Sequence, residues 1–189
     1  MRALILAFLP ACLLVTLLVG SPANCAEGYS SRLKNRISWN RFPIKIFFVR
    51  DSNYDRRRQD TALDGFDRWG EVTDGYAKFR VVDSSDSADV VVRFDPRTND
   101  GRTTMRYRGD RLYRADMMIG VERDADIDIE STAAHEFGHA LGINGHSDSR
   151  RDLMYPAHFE GTRCRITERD LDTLISIYPA IGDWLDGKR

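Results

Sequence analysis

All four histidines of this 189-residue chain fall between positions 135 and 158, and three of them lie in HEFGHALGINGH (135–146). His135 and His139 stand four apart, so a helix through them projects both imidazoles from one face, a turn apart. That spacing lets both donate nitrogen to one Zn²⁺ at about 2.0–2.1 Å. Glu136 is rotated off the ligand direction, where it can reach a water at the metal without binding the ion, as a general base must. An open catalytic zinc site needs a third protein ligand. Gly142 can end the helix in a left-handed conformation, and Gly145 gives a second joint just before His146. His146 is the preferred third ligand; Asp148 or a downstream carboxylate such as Glu168 is the alternative, with His146 then an exposed turn residue. Such a segment requires a helix, a tight reversal and a floor beneath them, which excludes most arrangements of a short chain.

Length and composition fit one ordinary globular domain: 42% of the residues are hydrophobic and 30% charged. Twenty-eight basic against 29 acidic residues leave a net charge of -1, which gives no electrostatic reason to expect nucleic acid or an anionic membrane as partner. Arg2 followed by ALILAFLPACLLVTLLVG and a small-residue exit reads as a signal peptide over 1–26, with cleavage after Ala23, Cys25 or Ala26. The remaining 27–189 would be a secreted domain, extracellular or periplasmic, monomeric and free of the membrane. Its cysteines are then at most Cys25 and Cys164, either joined as one disulfide or reduced to a lone Cys164 by cleavage.

Periodicity predicts a strand at 43–49, a helix from about 54 to 72, and strands at 76–82, 88–94 and 113–121. The segment 95–111 is expected to be a long loop or an irregular hairpin. Helices are expected near 130–142 and 167–178, the second opening on Thr167 with Asp170 in a weak capping box and stopping at Pro179. This mixed order is an α+β single domain. The acidic run ERDADIDIE (122–130) offers oxygen ligands that would suit Ca²⁺, but its spacing matches no EF-hand loop, and an acidic solvated turn is the preferred reading.

HExxHxxG followed closely by a histidine resembles the metzincin zinc peptidases, and AAHEFGHALGI resembles the matrixin branch in particular. Gly145 stands where the metzincin pattern has its third histidine, and His146 comes one residue later. DLMYPAHF (152–159) extends the resemblance, which implies that Met154 is the Met-turn, an apolar floor beneath the histidines. On its own Met154 would read as ordinary core filling. The resemblance also implies that Pro156 and His158 wall the pocket for the residue after the scissile bond. RISWNRFPIKIFFV, ALDGFDRWGEV and ITERDLDTLISIYP resemble the opening strand, first helix and last helix of a matrixin-type domain. The implied fold is a single metzincin-like catalytic domain, a twisted mixed β-sheet with a zinc-site helix and a C-terminal helix. Two family features are missing: no cysteine-switch prodomain fits before Trp39, and no histidine precedes 135 to hold a second, structural zinc.

These readings converge on a zinc metalloendopeptidase acting on protein or peptide substrates. One catalytic Zn²⁺ would be held by His135, His139 and His146, with Glu136 as base, and the resemblance implies that the strand near 113–121 pairs edge-on with an extended peptide. The alternatives are a secreted zinc-containing binding module with the same fold and little proteolysis, and a structural zinc domain closed by a fourth protein ligand, His158 or a cysteine.

Overall fold

A computed structural model describes residues 28–157 and 161–188. The apolar run at the start of the chain, Cys25 and His158 lie outside these residues, so the signal segment and the Cys25–Cys164 pairing stand as expectations.

Alternation of apolar residues builds the sheet. β1 (Ile44–Phe48) buries Ile44, Ile46 and Phe48 on one face, as period-two side chains require. β2 (Phe79–Val81), β3 (Val90–Asp95), β4 (Gly101–Arg108) and β5 (Arg111–Gly120) complete five strands in the order β2-β1-β3-β5-β4. The first four are mutually parallel, and β4 runs antiparallel to β5. In β5, Ala115, Met117 and Ile119 share the buried face, joined just beyond the strand by Val121.

Two helices cover that face. α1 (Arg56–Val72) starts where the Asp55 side chain accepts a hydrogen bond from the backbone N–H of Arg58, an N-cap. α2 (Asp126–Ala140) is buried along most of its length. Gly65 lets the two helices cross closely, since a Cβ there would lie 2.4 Å from the Glu130 carbonyl oxygen. Phe66 stacks on Phe137 with centroids 4.6 Å apart, and the Trp69 indole N–H donates to the Ala134 carbonyl at 2.8 Å. α3 (Glu168–Ile177) and α4 (Pro179–Asp186) close the chain. Among the described residues no helix is long and apolar enough to cross a membrane.

One expectation is resolved and three change. Of the two readings of 95–111 the irregular hairpin holds: the segment contains a true strand, β4, forming with β5 a hairpin whose register shifts between Arg106 and Tyr107. β5 is not an edge: β3 and β4 flank it, and β4 is the free border. The acidic run 122–130 is only half turn, because α2 starts at Asp126 with Asp126 and Asp128 in its first turn, where carboxylates oppose the positive end of the helix dipole. Its carboxylates are held by cations or amides instead of being arranged around an ion: Asp124 accepts from Arg57 and Arg58, Asp126 from Arg57, and Asp128 from the Gly161 N–H. Finally, Pro179 does not only stop α3; it is the first residue of α4, where its missing N–H costs nothing.

Candidate metal centre

The site begins where α2 ends. The orphan carbonyls of a helix C-terminus need partners, and two aromatic side chains supply them. The Trp39 indole N–H donates to the Ala140 oxygen at 2.7 Å, and the Tyr178 hydroxyl donates to the Leu141 oxygen at 2.7 Å while accepting from the Trp39 N–H. Gly142 then takes φ 110°, and a Cβ there would lie 2.2 Å from the Ile37 carbonyl oxygen, so both conformation and space call for glycine. At Gly145 a Cβ would lie 2.5 Å from the Arg32 oxygen. A side chain at 145 would collide with this backbone as it runs here, and the histidine is the next residue along.

The turn carries His146 back over α2. The His135, His139 and His146 rings lie with centroids 4.8–5.4 Å apart, and one nitrogen from each falls within 4.8 Å of the others. No other described His, Cys, Asp or Glu joins this group. The donor chemistry suits zinc. His135 Nδ1 lies 2.8 Å from the Leu153 carbonyl oxygen and His139 Nδ1 2.6 Å from that of Ile143. A carbonyl only accepts, so each Nδ1 carries the proton and leaves Nε2 with a lone pair. The His139 and His146 Nε2 atoms are 3.2 Å apart, near the roughly 3.4 Å expected between tetrahedral ligands at about 2.1 Å from one ion. Partial burial and the Lys34 charge lower the His146 pKa, favouring the neutral, ligating imidazole. Asp148, the alternative ligand, is instead held by Arg32 and Arg169, each at 2.8 Å; Glu168 lies in the first turn of α3.

Met154 is fully buried and packs on Gly138 of α2, where a Cβ would meet its sulfur at 2.5 Å. Its loop is fastened from α3: Asp170 accepts from the Leu153 N–H at 2.9 Å, the Met154 N–H at 3.3 Å and the Tyr29 hydroxyl at 2.6 Å. Asp170 also completes the capping box with Thr167. Pro156 is exposed and lines the cleft; His158 lies outside the described residues.

Glu136 is buried at the floor of a cleft of about 600 Å³ that His139 and His146 also line. Burial pushes its carboxyl up from 4.5 to about 7, against the opposing pull of the Thr103 hydroxyl and the Arg102 charge. Thr103 donates to Glu136 Oε2 at 2.6 Å. Thr103, Gly101 and Asp170 are the site-shaping residues that spacing did not single out. The first two carry no motif, and Asp170 was legible only as a cap.

The matrixin family model matches residues 104–179. Over 57 residues the chain is 40% identical to Metalloendoproteinase 2-MMP of Arabidopsis thaliana, covering 30% of this chain and 15% of that protein. Over 52 residues it is 42% identical to Metalloendoproteinase 1 of Glycine max, covering 27% of this chain and 17% of that protein. The matched stretch thus spans about a sixth of those relatives. The family match runs from within β4 through the end of α3, the same stretch that bears the histidine turn and the buried methionine, and over that stretch the chain is similar to the matrixins.

Proposed function

We propose that this chain is an exported zinc endopeptidase that hydrolyses peptide bonds in proteins. The observation that carries the reading is the convergence of three imidazoles beside a buried carboxyl in an open cleft. His135, His139 and His146 would hold the metal. Bound there, Zn²⁺ supplies the Lewis acidity that makes a water nucleophilic near neutral pH and polarises a carbonyl.

The chain's own residues do the rest. Glu136 takes a proton from the attacking water at a carboxylate oxygen and passes it to the leaving amine. The free border of β4 offers unpaired backbone groups to which an extended peptide can add as a further strand. Met154 supports the histidines from below, and Pro156 borders the substrate pocket. Export rests on the apolar opening run of the sequence, with the enzyme domain over 27–189.

The test pairs zinc stoichiometry with cleavage of casein, using the chain from Glu27 onward, wild type beside Glu136→Ala. About one zinc in both is expected, with turnover lowered by a factor of about 10² to 10⁴ in the variant, and none in wild type after chelation. Zinc binding without cleavage in wild type would favour a binding module; a folded wild type that takes up no zinc would overturn the reading.

A further inference from the structure

The strand that borders the cleft also grips the carboxyl at its floor. Glu136 lies on α2 and Thr103 on β4, 33 residues apart, yet the Thr103 hydroxyl is 2.6 Å from Glu136 Oε2 and 3.1 Å from the Glu136 backbone oxygen. A second observation comes from the next inward-facing residue of the strand. A Cβ on Gly101 would lie 2.4 Å from Glu136 Oε1 and 2.6 Å from its Cδ, so the carboxyl occupies the space a side chain would fill. Gly101 has no left-handed backbone to explain it; the glycine is there for room. One oxygen is thus tied by a hydroxyl while the other lies over a bare Cα at the border of the cleft.

We infer that Thr103 and Gly101 are positioning residues for Glu136, fixing its carboxyl so that one oxygen is held and the other is left to exchange a proton. The inference rests on the peptidase reading for the value of that placement. It also gives β4 two tasks: the strand whose outer border receives the substrate backbone sets the base from its inner face, so registering the peptide and aiming the base become one event. Misplacing a reacting group by about 1 Å can cost on the order of a hundredfold in rate.

Two measurements decide it. In kinetics on a quenched-fluorescent peptide, Thr103→Val should lower kcat about tenfold with KM and zinc content unchanged, and Thr103→Ser should restore most of the loss. Gly101→Ala should lower kcat about a hundredfold while the fold survives, because what it displaces is the far end of a flexible side chain. In metal-free protein, the melting temperatures of Thr103→Val, Glu136→Ala and the double variant should be non-additive by about 3 °C. Unchanged kcat in Thr103→Val, or loss of zinc in place of kcat, would overturn the positioning role. So would an additive thermal cycle, whatever the activity. A wild type that cleaves nothing fails the peptidase reading instead, and the metal-free cycle then decides alone whether Thr103 holds Glu136.

Discussion

A carboxyl buried like that of Glu136 holds its proton more tightly in the folded chain than in the unfolded one. Its folded pKa of about 7 stands above the ordinary 4.5, so its contribution to stability is fully present below about 4.5 and is lost as pH rises through about 7. The loss amounts to about 3 kcal/mol. In chelated protein, the stability difference between Glu136→Gln and wild type should therefore grow in favour of the variant between pH 4.5 and 7.5; thermal melts across that range check it, and a flat difference contradicts it. At this scale the sequence was most informative where chemistry is local. His135, Glu136 and His139 announce themselves by helical spacing, and His146 by being a histidine just past two glycines. Thr103 and Gly101 were silent, because a hydroxyl and a missing Cβ gain meaning only when a strand is laid beside a helix.

Elements were legible where burial imposes a period and obscure where it does not. β1, β3 and β5 alternate because a packed face demands it. β4 faces solvent along much of its length and carries Arg102, Arg106 and Arg108, the charged dress of a border strand, so its sequence resembles a loop. α4 was missed because proline marks a helix start as well as a stop. The element with most leverage on the site is α3, whose first turn carries Asp170. This carboxyl is fully buried and receives hydrogen bonds from Tyr29, Leu153, Met154 and Thr167. Asp170→Ala would leave several buried donors unpaired at once, a loss of about 3 kcal/mol or more. Urea unfolding should show it as a lower midpoint with an unchanged slope, and zinc affinity should weaken because the Met154 loop is no longer pinned.

At the scale of the whole molecule, the opening segment of the described chain is fastened to α3, to the histidine turn and to β4. The Tyr29 N–H donates to Thr173, Arg32 pairs with Asp148, and Asn35 reaches both Asn144 and, across the cleft, the Tyr107 hydroxyl of β4. An α+β domain was readable from element order, but this fastening was not, since residues 28–36 have no apolar period and take their places from partners 72 to 144 positions away. A ligand that binds only the folded form stabilises the whole. Zinc at a thousand times its dissociation constant should add about 4 kcal/mol, seen as a rise in melting temperature that chelator reverses and that His135→Ala lacks.

The Asp170 clasp also has a consequence for timing. The histidine turn leaves a ribosome before the residue that fastens the loop beneath it, and Tyr29, made long before, waits for the same carboxyl. A growing chain therefore carries its three clustered imidazoles before the brace beneath them is made. The arrangement of the three imidazoles over a fastened floor is completed only after synthesis has passed α3.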